Sequence, residues 1–429
     1  MQDPVRIGLL GCGNVGSALV GLIGDNADVV AARAGVNIKV ARIAVRDVAR
    51  PRGVKVDQSV FTDDAASVVA DSDIDVIVEV MGGVDVARKL ITDALLAGKP
   101  VVTANKELIA RHGPELFALA AKAGVDLLFE ASVAGGIPLI RPLRESLAGV
   151  RIRRVMGIVN GTTNYILTRM TESGSSFSDA LAEAQGLGYA EADPTADVGG
   201  LDAAAKAAII ATIAFSARVV PDDVYTEGIT EVSDSDIASA ESLGYVVKLL
   251  AVAEEDEGSI SVRVHPAMVA KLHPLASVRD SFNAVFIEGE AVGELMLYGR
   301  GAGGGPTASA VLGDLIDAVK NLASGGKGAT IGELVDRPIK PIDDAESSFY
   351  VLVEAADEPG VLAAIAGEFG RRGVSIKSME QRGIGNDARL IFITHRAREA
   401  DLRNTLESVA NVGAVHRIGS VMRVVGEEE

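Results

Sequence analysis

The stretch "VRIGLLGCGNVGSALVGLIG" at residues 5–24 constrains this chain more than any other. An apolar run of strand character ends in G-x-G-x-x-G at Gly11, Gly13 and Gly16, and a helical pattern follows at once. In a chain with 47 glycines such a triplet alone says little, but between a strand and a helix it has a mechanical reading. Gly11 permits the tight turn, Gly13 lets the backbone approach a pyrophosphate, and Gly16 lets the helix lie close to the sheet. The first helical turn, at Asn14 and Val15, then offers unpaired N–H groups and a positive dipole end to an anion. Further apolar runs at 38–45, 74–80, 100–104 and 125–130 read as strands, mostly separated by helical segments. This alternation predicts an α/β fold whose residues 1–135 form a Rossmann-like, doubly wound parallel sheet for a dinucleotide.

From about residue 151 longer helices and strands such as "SISVRVHPAMV" and "FNAVFIEGE" replace the short alternation, so residues 136–305 are expected to be an α+β domain. Residues 306–338 are expected to return as helix to the nucleotide domain. The polar, proline-bearing "IKPIDDAESS" at 339–348 reads as a linker, and residues 349–429 show a strand–helix–strand–strand–helix–strand order. A chain of 429 residues exceeds one ordinary core, as three units require. A net charge of −18 with no basic stripe argues against nucleic acid and against an anionic membrane surface. The most apolar helix is too short to span a bilayer and carries Lys206 within it. Cys12 stands alone, so no intrachain disulfide forms, and the N-terminus lacks a basic leader; a cytoplasmic setting is expected.

At 186–209, "GLGYAEADPTADVGGLDAAAKAAI" sets Glu191, Asp193, Asp197 and Asp202 around one lysine, Lys206. An acidic loop capping a helix is one reading; a site that holds an amino group and moves a proton is the other. Asp202 and Lys206 at i, i+4 share a helix face. Such a pair on an open surface is worth little, but Lys206 is flanked by Ala203, Ala204, Ala205, Ala207 and Ala208 rather than by charges. Desolvation there is expected to ease release of its proton and make it a general acid, with Asp202 holding the ammonium. Asp193 before Pro194 reads as a turn former. Asp197 reads either as a partner for an ammonium or as a helix cap, and Thr162 as a substrate-side hydroxyl or an N-cap.

The cofactor end carries its own signals. Where an acid for the ribose hydroxyls is expected after the second strand stands Arg46, followed by Asp47. An arginine attracts a 2′-phosphate, so NADP is favoured, while Asp47 leaves NAD open. Thr103 and Lys106 of "VTANKE" lie at the carboxyl end of a strand, where ligands gather. Lys106 is either a surface lysine opening a helix or a cofactor ligand, and the unfavourable dipole at that position favours the ligand role. The five histidines are scattered without zinc spacing.

The segment "AQGLGYAEADPTADVGGLDAAAK" at 184–206 resembles the signature of homoserine dehydrogenases, with Gly188, Asp193, Pro194, Asp197, Gly200, Asp202 and Lys206 at family spacing. "ASVAGGIP" (131–138), "NGTTNYIL" (160–167), "HPLA" (273–276) and "GAGGGPTASAV" (301–311) resemble other segments of that family in family order. The resemblance therefore covers essentially the whole chain. It implies reversible NAD(P)H-dependent reduction of L-aspartate 4-semialdehyde to L-homoserine, on the route to threonine, methionine and isoleucine. Lys206 and Asp202 would be catalytic, with Gly188, Glu191, Asp197, Asp202 and Thr162 at the substrate and Gly303 beside the cofactor. The resemblance further implies a monovalent cation, Na+ or K+, on the loop of Glu130, Val133, Gly135 and Ile137, and a second domain that both catalyses and dimerises.

Residues 349–381 resemble an ACT domain, a βαββαβ amino-acid-sensing module, through Pro359, Gly360, Val361, Leu362 and Ile365. That implies pairing across subunits in a homodimer or homotetramer, with L-threonine as effector or with no ligand at all. With a polar linker before it, this unit is expected to be removable without unfolding the rest. Two other readings stand beside the enzyme: a catalytically silent sensor of nucleotide and amino acid, and another Rossmann reductase of small amino-acid intermediates.

Overall fold

The computed structural model describes residues 3–328, 331–383 and 388–426. Its first sheet contains β1 (Val5–Leu10), β2 (Ile38–Ala44), β3 (Phe61–Thr62), β4 (Val76–Glu79), β5 (Val101–Thr103) and β6 (Leu127–Leu128). The order is β3-β2-β1-β4-β5-β6 and every pairing is parallel. The order reverses between β1 and β4, so their carboxyl ends open the crevice in which such sheets bind ligands. β3 was not expected, because two residues carry no periodicity. Ile7, Leu9, Val76 and Val78 are buried on one face, and Leu10, Ile77 and Val101 on the other, so the sheet is covered on both sides. The helix Gly304–Ala323 closes one of those faces, its Ala308, Val311 and Leu315 sharing a core with Leu19 and Ile23 of helix Asn14–Asp25. Among the described residues no single helix is long and apolar enough to cross a membrane.

The second sheet gathers β7 (Ile152–Ile158), β8 (Tyr225–Thr226), β9 (Tyr245–Asp256), β10 (Ser259–Ala270), β11 (Phe282–Gly289) and β12 (Gly293–Arg300) from the middle of the chain. It also takes β13 (Glu346–Ala355), β14 (Ile376–Arg382), β15 (Ala388–Thr394), β16 (Ala397–Arg398) and β17 (Val415–Val425) from the end. Its main path runs β12-β11-β7-β9-β10-β17-β13-β15-β14. Helix Leu201–Phe215 lies in the large core beneath the middle strands.

The third unit is thus joined to the second by hydrogen bonds rather than by a tether. β17 pairs parallel with β10, Ala267–Val269 against Arg423–Val425. Tyr350, Leu352, Ile391, Ile393, Met422 and Val424 are buried in the same cluster as Ala207, Ile210 and Val247. Arg423 clamps the seam, bonding Glu227 at 2.5 Å from one side and Glu399 at 2.5 and 3.1 Å from the other, over the ring of Tyr225. The stretch expected to be a free linker is docked as well. Ile260 N donates to Pro338 O at 2.9 Å, Lys340 N donates to Ile260 O at 2.8 Å, and β13 already begins at Glu346. Polar composition reports what faces water, and says nothing of where the backbone finds its partners.

Removal of residues 344–429 would uncover the β10 edge and the apolar surface that the third unit covers. The truncated chain should melt on the order of 10 °C lower than the intact one, or aggregate. Thermal unfolding and size-exclusion chromatography check this; a monodisperse truncation with an unchanged Tm would show the seam to be weak.

Candidate active site

The helix Leu201–Phe215 starts from Gly200, whose φ of +83° and whose packing admit no side chain: a Cβ there would lie 3.0 Å from Thr226 Cγ2. One turn in, Asp202 is buried, and Lys206 follows on the same face. Lys206 Nζ donates to Asp202 Oδ2 at 2.7 Å and to Val159 O at 2.7 Å. From the nucleotide domain, Lys106 Nζ reaches across and donates to Asp202 Oδ1. Asn160 Nδ2 donates to both Asp202 Oδ2 at 2.9 Å and Asp197 Oδ1 at 2.6 Å, while its Oδ1 caps helix Gly161–Ser173 through Thr163 N.

Asp202 holds the Lys206 ammonium, as its place at i, i+4 leads one to expect, and the carbonyl of Val159 joins it. Other residues meet surroundings that the sequence did not announce. The hydroxyl of Thr103, expected at the cofactor, is fully buried and donates to Glu79 Oε2 at 2.6 Å. Lys106, also expected at the cofactor, has its ammonium on Asp202. Asp197 does not cap the long helix, which has no side-chain cap, and instead bonds Asn160. Thr162 is not an N-cap: its hydroxyl donates to Tyr189 O at 2.6 Å and pins the turn at Gly188, where φ is +76°. Glu191 is exposed, with only its carbonyl engaged by Gln185. Asp193 forms the expected turn, accepting Thr195 N and Oγ1. Asn160 was missed as a site residue. Its N-cap role could be read locally, but the targets of its amide lie 37 and 42 residues away.

The glycine loop has the shape a pyrophosphate requires. Gly11 has φ +102° and a Cβ on it would sit 2.8 Å from Val80 O; one on Gly16 would sit 2.4 Å from Gly11 O. Gly13 faces open space, and helix Asn14–Asp25 has neither a side-chain cap nor an acid in its first turn. Gly303, with φ +111°, is the N-cap of helix Gly304–Ala323, and a Cβ on Gly304 would meet Asn14 O at 2.9 Å. Two uncapped helix N-termini therefore converge. Arg46 lies exposed just past β2, and Asp47 turns one oxygen back to Ala49 N.

In the loop expected to take a cation, the Glu130 carboxylate accepts the amides of Leu139, Ile140 and Arg141 at 2.5, 2.8 and 2.7 Å. That leaves backbone oxygens as the ligands on offer. Gly135, with φ +53°, packs so closely that a Cβ would lie 2.3 Å from Gly301 O. Among the described residues no group of three or more His, Cys, Asp or Glu could hold a metal ion.

Comparison with known proteins agrees with this geometry. Residues 138–316 match the homoserine dehydrogenase family, residues 11–130 the homoserine dehydrogenase NAD binding domain, and residues 349–414 the ACT domain. A homoserine dehydrogenase of Mycobacterium tuberculosis is 50% identical over 436 residues, covering 99% of this chain and 98% of its own. The chain belongs to the homoserine dehydrogenase family.

It is an NAD(P)-dependent oxidoreductase acting on a CH–OH group, which interconverts L-homoserine and L-aspartate 4-semialdehyde. The crystal structure of a homoserine dehydrogenase from Thiobacillus denitrificans superposes with a TM-score of 0.92 at 39% identity, covering 99% of this chain and 98% of that one. A hyperthermophilic archaeal homoserine dehydrogenase in complex with NADPH matches at TM-score 0.63 and 31% identity, covering 74% of this chain and 98% of that one.

In this homoserine dehydrogenase burial alone would push the Asp202 carboxyl up, but the ammonium groups of Lys206 and Lys106 outweigh it and hold the group well below the usual carboxylate range. Burial likewise opposes the charge on Lys106, and Asp202 more than restores it, raising its pKa above the ordinary value. A carboxyl depressed in the folded state contributes stability above its unfolded value of about 3.9, and loses it as pH falls through the folded value. Asp202→Asn should therefore melt lower than the parent at pH 7, with the deficit shrinking below about pH 4, and should lower kcat by about 100-fold or more. Parallel melting curves and initial rates decide; equal stability at pH 7 would show that the lysines do not depend on this carboxylate.

Proposed function

We propose that the two lysines and Asp202 form the proton-transfer centre of this homoserine dehydrogenase. The carrying observation is one buried carboxylate shared by ammonium groups from two domains, which closes the cleft between nucleotide loop and substrate helix. An ammonium has three N–H donors, and Asp202 and Val159 take two of those on Lys206. The third is free to donate a proton to the alkoxide that develops on the substrate's carbonyl oxygen. Lys106 steadies Asp202 and adds positive charge at the same oxygen. Asp197, with one oxygen uncommitted, and the exposed Glu191 receive the substrate's α-ammonium, beside the backbone of Gly188. A nicotinamide cofactor, when bound, would supply the hydride for reduction and accept it in the reverse direction. Gly11, Gly13, Asn14, Val15, Gly16 and Gly303 would hold its pyrophosphate, and Arg46 the 2′-phosphate of NADP.

The carbonyls of Glu130, Val133, Gly135 and Ile137 would hold Na+ or K+, as oxygen donors suit a hard cation. The third unit would take L-threonine as effector. Assembly would be a homodimer or homotetramer, since β12 and β14 end the second sheet with open edges. This chemistry is placed in the cytoplasm, the compartment that a lone cysteine fits.

Lys206→Ala should lower kcat by about 100- to 10,000-fold with NADPH affinity retained, and Lys106→Met should also lower kcat. A near-normal kcat in Lys206→Ala would remove it as proton donor. Arg46→Ala should raise KM for NADPH by about 10-fold and leave KM for NADH nearly unchanged. Equal effects on both would place Arg46 away from the 2′-phosphate. The same initial rates, taken with and without threonine and added KCl or NaCl, and light scattering of the intact protein, test effector, cation and assembly. Rates indifferent to threonine or to salt would overturn the corresponding assignment.

A further inference from the structure

Glu79 has no place in the chemistry above, yet its carboxylate joins two parts of the site. It ends β4 and is wholly buried. Its Oε1 accepts Met81 N at 2.8 Å and Gly82 N at 3.1 Å, and its Oε2 accepts the Thr103 hydroxyl at 2.6 Å. That hydroxyl accepts Asn105 N at 3.0 Å. Asn105 Oδ1 caps helix Lys106–Ala123 by accepting Leu108 N at 3.1 Å, and its Nδ2 donates to Gly83 O at 2.7 Å. The bonds close a ring from the end of β4, through the loop at 81–83, to the N-cap of the helix and back. One side of the ring walls the dinucleotide loop, where a Cβ on Gly11 would lie 2.9 Å from Met81 N. The other side ends at Lys106, the residue after Asn105, whose ammonium lies on Asp202.

We infer that Glu79 and Thr103 are positioning residues: their buried hydrogen-bonded relay sets the start of the helix that carries Lys106 and so aims Lys106 at Asp202. The inference rests on the reading that Lys106 works with Asp202. The relay has a direction. The Asn105 N–H takes the Thr103 oxygen as its acceptor, and the carboxylate oxygens of Glu79 accept, so the Thr103 hydroxyl spends its hydrogen on Glu79. A glutamine at 79 would still accept the two loop amides through its oxygen, but would press an NH2 group on a hydroxyl whose own hydrogen then has no acceptor. A buried network of this kind loses more from one reversed member than from its absence. Because Lys106 extends from the first residue of its helix, a small displacement there is carried to its ammonium, and displacements of about 1 Å in a reacting array cost on the order of 100-fold in rate.

Four variants test this in the full chain: Thr103→Val, Thr103→Ser, Glu79→Gln and the double variant Glu79→Gln/Thr103→Val, with Lys106→Met as reference. Homoserine oxidation gives kcat, and NADPH fluorescence gives the cofactor Kd. Thr103→Val should lower kcat by about 10- to 100-fold and change the NADPH Kd by less than about twofold. Thr103→Ser, which restores the hydroxyl, should stay within about threefold of the parent. Glu79→Gln should lower kcat at least as far as Thr103→Val, and the double variant should be no worse than the poorer single, since both break one relay. If Thr103→Val keeps a parental kcat while its Tm falls, the ring serves the fold alone and the inference fails. It fails as well if the NADPH Kd weakens in step with kcat, or if the two single effects multiply. Should Glu79→Gln not fold, the Thr103 pair still decides. A parental kcat in Lys106→Met would instead overturn the reading of Lys106, whatever the relay does.

Discussion

Everything in the site depends on the charge of one buried carboxylate. An ionised aspartate out of water costs several kcal/mol unless partners replace its hydration, and Asp202 has three: the ammonium groups of Lys206 and Lys106 and the amide of Asn160. Removing any one leaves charge in a place that cannot solvate it. With Asp197 bonded to the same amide, two cations face two anions. The site is thus near electrical balance before substrate arrives, and on the proposed reading an oxyanion forming beside the lysines would shift that balance toward proton donation rather than toward a trapped ion pair.

That carboxylate also explains the arrangement of domains. Lys206 and Asp202 belong to one helix of the second domain, while Lys106 opens a helix of the first. The contact therefore exists only when the two domains sit at one separation. The returning helix Gly304–Ala323 helps hold it, sharing a core with the first domain and placing Gly304 against the carbonyl of Asn14. The third unit continues the second sheet through β10 and β17, with Arg423 bonded on both sides of the seam. Any change of state in that unit acts on a hydrogen-bonded sheet whose strands pack over helix Leu201–Phe215, not on a loose tether.

Sequence and structure divide the explanation unevenly. The nucleotide domain was legible because its devices are local: a strand, a glycine turn and a helix within some twenty residues, then repeated alternation of period. The pair Asp202 and Lys206 was legible for the same reason, since i, i+4 is a property of any helix. What the sequence left unread follows one rule. Thr103 and Lys106 were placed at the cofactor from their position at a strand end, and nothing in their spacing announced that the Thr103 hydroxyl turns inward to Glu79 or that a flexible four-carbon stem takes the Lys106 ammonium across the cleft to Asp202. Glu79 gave no signal at all, because one acid in an apolar strand looks like a strand's end. Its meaning lies in amides of a loop two and three residues on and a hydroxyl 24 residues away.

By itself, then, the sequence determined the elements, the dinucleotide loop, the family and the chemistry-bearing helix, since each is carried by short-range periodicity or by residues at fixed spacing. Only the tertiary structure decided which groups share the carboxylate of Asp202, that Asn160 completes it, and that the third unit is sewn into the catalytic sheet. Those outcomes depend on pairings between residues far apart in the chain, such as Lys106 with Asp202 and Arg423 with Glu227. Long-range pairings leave no spacing to read. They arise when burial forces each charge and each strand edge to find the partner that folding has brought within reach.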